Sequence, residues 1–335
     1  MSMIRVVIDA MGGDNAPEEI VKGAVAALAD QPEVQILLTG RPEAVEPILA
    51  GLSYDKDRLT VVPASEVIET AEPPVAAIRT KKDSSMTVGL NLVKEGRADC
   101  FISSGSTGAL LVGAQLLVGR IPGVRRPPLA PVLPTTSGPS LLIDCGANVD
   151  ARPEHLVQFA RMGAAYMEGV VGIKNPTVGL MNIGAEEDKG NALVKETMPL
   201  LKACEDINFI GSVEARDIPF GAADVVVCEA FAGNVALKMY EGTAKALLSQ
   251  IKAALMSSVR GKLGGLLIKP SLKGLMKTFD AAEYGGAPML GLNGLVVKTH
   301  GSAKAGEIRT AVSQCVRFRE QHMDEKIKEM MAAKK

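Results

Sequence analysis

Runs of apolar, often β-branched residues alternate with helix-like patterns along almost the whole chain. The apolar runs predict strands at residues 4–9, 34–39, 59–63, 98–103, 141–145, 177–183, 207–211, 224–228 and 295–299. The patterns between them predict helices at about 17–30, 43–51, 73–82, 85–96, 107–119, 153–169, 188–204, 233–258 and 302–331. Most of the strands are continuously apolar, which is typical of a mainly parallel sheet covered on both faces. We therefore predict a three-layer α/β/α architecture.

The domain organisation is open at this point. The 335 residues, 47% of them hydrophobic, are enough for one large α/β unit or for two closely joined ones. The proline-rich stretch 121–139, IPGVRRPPLAPVLPTTSGP, is either a crossing between two halves or an ordered loop.

Residues 242–279 depart from the alternation because they contain no Asp or Glu and accumulate Lys and Arg. Within them, Leu266, Leu267 and Ile268 form an apolar tip between glycines and lysines, and Pro270 is placed to start a short helix. Lys269, Lys273 and Lys277 add positive charge there. A basic amphipathic element of this kind indicates either contact with a membrane surface or acidic partner, or a dimerisation arm.

Composition narrows the class of protein. The net charge of −1 gives no sign of a nucleic-acid-binding surface. The five cysteines form no C-x-x-C pair, so we expect reduced thiols, no disulfide framework and no metal cluster. The first predicted strand begins at once and no apolar run reaches about 18 residues, so we expect a cytoplasmic protein without a signal peptide or spanning helix.

Ligands of α/β proteins bind beyond the carboxyl ends of the strands, and two loops there are rich in glycine and small polar residues. The first runs from Asp9 to Asp14, and its Gly12 and Gly13 allow a sharp turn. It lacks the G-x-G-x-x-G spacing of a dinucleotide loop. The second, ISSGSTGA from Ile102, is either a receptor for phosphate or carboxylate or simply a Ser/Thr-capped helix start.

Three further strand-end loops carry polar residues. DCGANVD, residues 144–150, precedes a helix begun by Pro153, where we expect Asp150 as a cap and His155 as an exposed first-turn residue. NIGAEEDKGN, residues 182–191, contains Lys189, which either holds a polyanion or pairs with Glu186 or Glu187. EAFAGNVALK, residues 229–238, contains Asn234, whose amide either caps the following helix or faces the cleft.

These loops offer no nucleophile–base pair, and three histidines do not assemble a Ser-His-Asp or metal site. Arg79, Lys81 and Lys82 add a cationic run beside two serines. The loops therefore predict a cleft that binds anions and acts by positioning and electrostatics rather than covalent catalysis.

Eight blocks in order identify a family. They are DAMGGDNAPEEIVKGA, RTKKDSSM, SSGSTGALL, RPPLAP, DCGANVDARPEHLVQFARMG, GAEEDKGNAL, NFIGSVEARDIPFGAADVVVCEAFAGNVALK and YGGAPMLGLNGLVVKTHG. In this order they closely resemble the bacterial phosphate acyltransferase family, PlsX (acyl-acyl carrier protein:phosphate acyltransferase). The resemblance covers residues 4 to about 320, so residues 1–335 are expected to form a single phosphate acyltransferase domain.

The resemblance implies a Rossmann-like fold related to isocitrate and isopropylmalate dehydrogenases and to phosphotransacetylase. It implies transfer of a fatty acyl group from acyl carrier protein to inorganic phosphate, giving the acyl phosphate that starts phospholipid synthesis. The implied partners are a second subunit in a homodimer, the inner face of the cell membrane and a membrane-bound glycerol-3-phosphate acyltransferase. No cofactor or metal is implied, and the alternative is a phosphotransacylase that uses coenzyme A thioesters.

The resemblance also implies residue roles. Lys189 and Asn234 match the active-site lysine and asparagine of the family, and many relatives carry Asn where this chain has Ser106. Our hypothesis is that the SSGSTG turn and Lys189 hold phosphate while Asn234 and nearby backbone N–H groups stabilise the oxyanion. The expected substrate-binding residues are Asp9, Gly12, Gly13, Ser103, Gly105, Ser106, Thr107 and Asn148, with Arg79, Lys81 and Lys82 as docking cations for the carrier protein. The expected membrane contacts are Leu266, Leu267, Ile268, Lys269, Lys273 and Lys277.

Overall fold

The computed structural model describes residues 3–278 and 284–332, without the side chains of Lys273 and of residues 275–278. The chain forms two compact units. Unit 1 consists of Met1–Pro131, Ala165–Lys174 and Tyr284–Lys335, and unit 2 consists of Val132–Ala164 and Asn175–Glu283. The chain first passes from unit 1 to unit 2 within the proline-rich stretch, between Pro131 and Val132.

Unit 1 is built on a sheet whose described strands follow the order β10-β11-β4-β1-β2-β3. These strands are β1 (Ile4–Asp9), β2 (Val34–Gly40), β3 (Leu59–Pro63), β4 (Cys100–Ser103), β10 (Ala287–Met289) and β11 (Leu295–Lys298). All neighbouring pairs are parallel except β10 and β11. Val6, Val7 and Ile8 are all fully buried although consecutive strand residues point to opposite faces, so both faces of this sheet are covered.

The helices of unit 1 follow the predicted pattern. They are α1 (Glu18–Asp30), α2 (Pro42–Ala50), α3 (Pro74–Thr80), α4 (Ser85–Lys94), α5 (Thr107–Gly113), α10 (Ala305–Glu320) and α11 (Met323–Ala332). Gly89 lets α4 approach the sheet closely, because a Cβ there would lie 2.2 Å from the ring of Phe101. The prediction of a single helix over 302–331 is wrong, because His322, with φ 50°, separates α10 from α11.

Unit 2 contains a second sheet in the order β5-β6-β9-β7-β8. Its strands are β5 (Val132–Thr135), β6 (Gly138–Ile143), β7 (Thr177–Asn182), β8 (Asn208–Glu214) and β9 (Val225–Val227). Among the described strands of this second sheet, only β5 and β6 pair antiparallel. Leu133, Leu142, Val213 and Val226 lie in a buried cluster of aliphatic side chains that forms a core of this unit.

The helices associated with unit 2 are α6 (Pro153–Tyr166), α7 (Ala192–Lys202), α8 (Ala230–Met256) and α9 (Val259–Thr278). The prediction that Pro270 starts a short helix is wrong, because Pro270 lies inside α9. Leu266, Leu267 and Ile268 are therefore helical rather than the tip of a loop. Helix α9 folds back on α8, where a Cβ on Gly261 would lie 2.6 Å from the carbonyl oxygen of Leu255.

The predicted α/β fold of mainly parallel sheets with surrounding helices is confirmed. Strands β5 and β10 were not predicted from the sequence. Both are short, antiparallel and contain a proline, so neither shows the long apolar run of the parallel strands.

Candidate active site

Three neighbouring strands of unit 1 end at the same edge of the sheet. Parallel strands β11, β4 and β1 end at Lys298, Ser103 and Asp9, and each is followed by a loop and then a helix. The carboxyl edge of a parallel sheet is where α/β proteins bind ligands. These loops form the unit 1 cluster.

Asp9 ties the loops of this cluster together. Its Oδ2 accepts a hydrogen bond from Ser103 Oγ at 2.7 Å, and its Oδ1 accepts one from the amide of Met11 at 3.1 Å. Burial raises the pKa of Asp9, while hydrogen bonds from Ser85, Ser103, Met11 and Gly12 act in the opposite direction. A carboxylate with this many donors fixes the first loop against β4 and the start of α4.

Gly12 and Gly13 are required by close approach. A Cβ on Gly12 would lie 2.6 Å from Asp9 Oδ2 and 2.7 Å from the amide nitrogen of Gly105. Gly13 has φ 101°, and a Cβ there would lie 2.8 Å from the carbonyl oxygen of Gly301. The two glycines therefore pack the first loop against its neighbours on both sides.

The serine-rich loop after β4 is largely committed to internal hydrogen bonds. Ser104 Oγ and Thr299 Oγ1 are 2.6 Å apart, and the amide of Gly105 donates to Ser103 Oγ at 3.0 Å. Ser106 caps α5, since its Oγ accepts from the amide of Ala109 at 3.4 Å. The capped-helix alternative thus describes Ser106, while Thr107 is exposed and Gly105 is half-buried.

Lys298 completes the unit 1 cluster and was not singled out from the sequence. Its ammonium group donates to the carbonyl oxygens of Ser104, at 3.3 Å, and of Thr299. Burial lowers the pKa of Lys298 to about 8. The sequence feature that could have indicated Lys298 is its position directly after the apolar run Leu295–Val297. A lysine there stands at the carboxyl end of a strand, where α/β proteins bind ligands.

The three predicted docking cations behave differently from one another. Lys81 donates to the backbone carbonyl of Val67 at 2.7 Å and to Glu72 Oε1 at 2.6 Å, so it holds the preceding loop. Arg79 and Lys82 are exposed. The ammonium group of Lys82 donates to the backbone carbonyl of Ile78 at 3.2 Å.

In unit 2, the loops after β6, β9 and β7 also share one edge of a sheet, and we call them the unit 2 cluster. After β6, Asn148 donates from its amide to Asp144 Oδ2 at 2.7 Å and accepts at its backbone carbonyl from Ala230. A Cβ on Gly233 would lie 1.9 Å from the carbonyl oxygen of Asp144. The loop after β6 therefore fixes the first turn of α8.

His155 is buried, although it is expected from the sequence to be exposed. Its Nδ1 accepts a hydrogen bond from the backbone amide of Arg152 at 3.1 Å. The imidazole ring therefore takes the part of a capping side chain near the start of α6, where an amide would otherwise lack a helical partner.

Lys189 is in the loop after β7, ahead of α7, which begins at Ala192. Its Nζ donates to Glu186 Oε1 at 2.8 Å, and this hydrogen bond raises the pKa of Lys189. Asn182 holds the loop by donating to the carbonyl oxygen of Lys189 at 3.3 Å. Gly184 leaves room for the lysine, since a Cβ there would lie 2.7 Å from Lys189 Cδ. The structure thus shows the pairing with Glu186 that the sequence left as an alternative.

Asn234 does not cap α8, because that helix begins at Ala230 and Glu229 is its cap. The Glu229 carboxylate accepts hydrogen bonds from the backbone amides of Phe231 at 2.6 Å and Ala232 at 2.8 Å. The backbone carbonyl of Glu229 accepts one from the amide of Gly233. The amides of the first turn of α8 are therefore already hydrogen-bonded. Asn234 is half-buried and offers its own side-chain amide.

The cysteines provide no accessible thiol. All five are buried, and burial raises the pKa of the Cys100, Cys145 and Cys228 thiols well above the usual value. In the part of the chain that the structure describes, no group of His, Cys, Asp and Glu is arranged to hold a metal ion.

Large apolar side chains are exposed on α8 and α9. Leu266 and Leu267 are 68% and 81% exposed, Ile268 is exposed, and Lys269 follows them on the surface. The side chains of Lys273 and Lys277 lie outside the described residues. None of the described helices combines the length and apolar character needed to traverse a bilayer.

The comparisons with known proteins agree with this architecture. Residues 4–326 match the family model described as fatty acid synthesis protein. The phosphate acyltransferase of Clostridium tetani is 48% identical over 326 residues, which are 97% of each chain. The phosphate acyltransferase of Clostridium botulinum strain Loch Maree is 50% identical over 309 residues, 92% of each chain.

Solved structures of low sequence identity share the fold. A phosphotransacetylase from Streptococcus pyogenes superposes with a TM-score of 0.63 at 19% identity, over 94% of this chain and 93% of that one. A branched-chain phosphotransacylase from Enterococcus faecalis superposes with a TM-score of 0.57 at 17% identity, over 94% of this chain and 98% of that one.

Fold and relatives together define an acyltransferase enzyme. The chain belongs to the fatty acid synthesis protein family, that of the phosphate acyltransferases.

Proposed function

We propose that the protein transfers a fatty acyl group from acyl-[acyl carrier protein] to inorganic phosphate, as the first step of phosphatidic acid synthesis. A phosphate oxygen attacks the thioester carbonyl, a C–O bond forms, and the C–S bond breaks. The products are acyl phosphate and the carrier thiolate, which takes up a proton.

The observation that carries the proposal is the unit 1 cluster at the ends of β11, β4 and β1. Gly12, Gly13 and Gly105 bring three loops into close contact there, and a lysine ammonium lies against the serine-rich loop. A small, rigid, hydrogen-bonding site with one cation suits an anion of the size of phosphate.

In unit 2, Lys189 and Asn234 are the proposed catalytic residues. Lys189 contributes positive charge to phosphate, and its pairing with Glu186 means that the anion competes with a carboxylate already in contact. Asn234 donates from its side-chain amide to the developing oxyanion, because the amides that open α8 are bonded to Glu229 and to Asn148.

Direct attack by phosphate requires no acyl-enzyme intermediate. The burial of all five thiols and the raised pKa values of Cys100, Cys145 and Cys228 support this route, because a cysteine nucleophile needs an accessible thiolate.

The proposed donor is the carrier protein, which is acidic, and Arg79 and Lys82 are the proposed docking cations. Both side chains are exposed, Arg79 in α3 and Lys82 just after it. Lys81, in contrast, donates hydrogen bonds to Glu72 and to the backbone carbonyl of Val67. Charges at the rim of a docking surface mainly accelerate association and select the partner.

We also propose that Leu266, Leu267 and Ile268 of α9, with Lys269, contact the membrane surface. Exposed apolar side chains beside cations are the pattern of an interfacial helix. The double variant Leu266→Glu/Leu267→Glu is expected to abolish flotation with anionic liposomes and to leave turnover of soluble substrates intact. The matched control is Leu247→Glu/Leu248→Glu on α8, also an adjacent exposed pair. Unchanged flotation of the α9 variant, with a shift from dimer to monomer, would favour the dimer-arm alternative.

The experiment that tests the proposed function is a product assay. The protein is incubated with inorganic phosphate and a long-chain thioester of either carrier protein or coenzyme A, and acyl phosphate is trapped as a hydroxamate. Formation from the carrier thioester at higher kcat/KM supports the proposal. A higher kcat/KM with the coenzyme A thioester would show that coenzyme A, rather than the carrier protein, carries the acyl group. Absence of acyl phosphate with both thioesters would overturn the proposed function.

A further inference from the structure

We propose that Lys298 binds an oxygen of inorganic phosphate at the end of β11, as a substrate-binding residue of unit 1. This inference rests on the proposed function, because it assigns a group to the phosphate of that reaction.

The position of Lys298 is the first support. The residue ends β11, which pairs in parallel with β4, and the register places Lys298 opposite Ser103. Its ammonium group touches the carbonyl oxygen of Ser104, in the loop between β4 and α5. The cation is therefore held by the loop for which an anion receptor was one of the two alternatives.

The hydrogen bonds of the ammonium group are the second support. A lysine has three N–H donors, and here two go to the carbonyl oxygens of Ser104 and Thr299. Within residues 3–278 and 284–332 these are its hydrogen-bond partners, so the third N–H is available to a ligand oxygen. Both acceptors are neutral, and no carboxylate of the described residues is in direct contact with the positive charge.

The surrounding charges act from further away. Asp9 of β1, Asp14 of the following loop and Glu307 of α10 are the carboxylates that influence Lys298 electrostatically. Asp9 accepts hydrogen bonds from Ser103 Oγ and from the amide of Met11. Glu307 accepts a hydrogen bond from the amide of His300. The imidazole of His300 interacts with Ser302 Oγ at 2.8 Å. These groups attract the cation without satisfying its remaining donor.

Burial lowers the pKa of Lys298 to about 8, so the free protein loses this positive charge in mildly alkaline solution. A bound dianion favours the protonated form and raises that pKa again. By linkage, dianion binding near the lowered pKa takes up a proton, and affinity falls as the pH rises through that value. Lys189 cannot produce this profile, because its pKa is raised above the ordinary lysine value.

The test is the pH dependence of anion binding to the whole chain, measured by calorimetry. Inorganic sulfate is the probe, since it remains a dianion throughout the range. With a group of pKa about 8 that must be protonated, sulfate affinity falls by about tenfold between about pH 7 and about pH 9. Repeating the titration near pH 8 in two buffers of different ionisation enthalpy reports the proton taken up.

The variant Lys298→Met retains the length of the side chain and removes its charge. It is expected to bind sulfate weakly with little pH dependence, and to raise the KM for inorganic phosphate on the order of ten- to hundredfold with a smaller change in kcat. The control is Lys94→Met, which removes an exposed lysine at the end of α4. It is expected to behave like the wild type.

The outcomes separate this inference from the proposed function. A wild-type affinity that does not change with pH, or an identical profile in folded Lys298→Met, overturns the role of Lys298 even if acyl phosphate is formed. A wild type that shows the profile but makes no acyl phosphate retains the anion site and overturns the reaction. If Lys298→Met does not fold, the wild-type profile and proton uptake decide.

Discussion

The ammonium group of Lys189 donates a hydrogen bond to Glu186 Oε1 at 2.8 Å, with both side chains about half exposed. The lysine proposed to bind phosphate therefore already holds an anionic group at the same nitrogen. In water an exposed pair of this kind contributes little to stability, so a phosphate dianion can replace the carboxylate at low cost.

Replacing Lys189 by Met is expected to lower kcat/KM for phosphate on the order of ten- to hundredfold, because a charge-assisted hydrogen bond to the substrate is lost. Glu186→Gln is expected to act in the opposite direction and lower the KM for phosphate, because the competing carboxylate is removed. Steady-state kinetics with varied phosphate measure both effects.

Lys202→Met is the matched control for Lys189. Lys202 also forms an ion pair in unit 2, with Glu187, and its side chain is 47% exposed compared with 49% for Lys189. Near wild-type turnover in folded Lys189→Met, or equal losses in both variants, would remove Lys189 from the proposed mechanism.

Asn234→Ala is expected to reduce kcat by roughly 10²–10³ with little change in the KM for phosphate, because an oxyanion donor acts in the transition state. Asn208→Ala serves as control, since Asn208 begins β8 at the opposite edge of the sheet and donates to the carbonyl of Asn175. A loss confined to KM would argue for ground-state binding instead.

Gly12→Ala is expected to destabilise the protein by about 1–3 kcal/mol and to weaken phosphate use, because the new Cβ must displace Asp9 or the backbone of Gly105. Thermal unfolding and the KM for phosphate report the two effects. Gly306→Ala, in the first turn of α10 with no atom near its Cβ direction, is expected to keep both values close to wild type. Equal melting temperatures for the two variants would show that the loops are not closely packed.

Arg79→Glu combined with Lys82→Glu is expected to raise the KM for acyl carrier protein about tenfold at low salt and to leave an uncharged small thioester unaffected. The difference should shrink as salt is added, since exposed charges are screened. Equal losses with both donors would indicate that the two residues serve the reaction rather than docking. Lys94→Glu is a control with an exposed lysine elsewhere in unit 1.

Most of the fold was predictable from the sequence because parallel strands buried on both faces appear as continuous apolar runs. Strand β10 was not, since Pro288 interrupts it and it has three residues. The course of α9 was also not predictable. A proline normally marks a helix start, but here the helix continues through Pro270, with Gly261 and Gly265 close to Leu255.

The candidate site was predictable where glycine and small polar residues follow a strand, as at Gly12 and Gly105. Lys298 was missed because it stands alone after an apolar run, and only the pairing of β11 with β4 brings it to Ser104. Of the two alternatives for Asn234, the helix cap is excluded because Glu229, which is an uncommon helix cap, takes that position.

Direct attack of phosphate on the thioester is tested by measuring release of the carrier thiol with and without phosphate. The protein is mixed at high concentration with acyl carrier thioester, thiol release is followed on the single-turnover timescale, and the intact mass of the chain is measured. For direct attack we expect no burst and no mass increase without phosphate, and one acyl phosphate per thiol released with phosphate. A stoichiometric burst with an acyl group on the chain would instead show an acyl-enzyme intermediate and rule out direct attack.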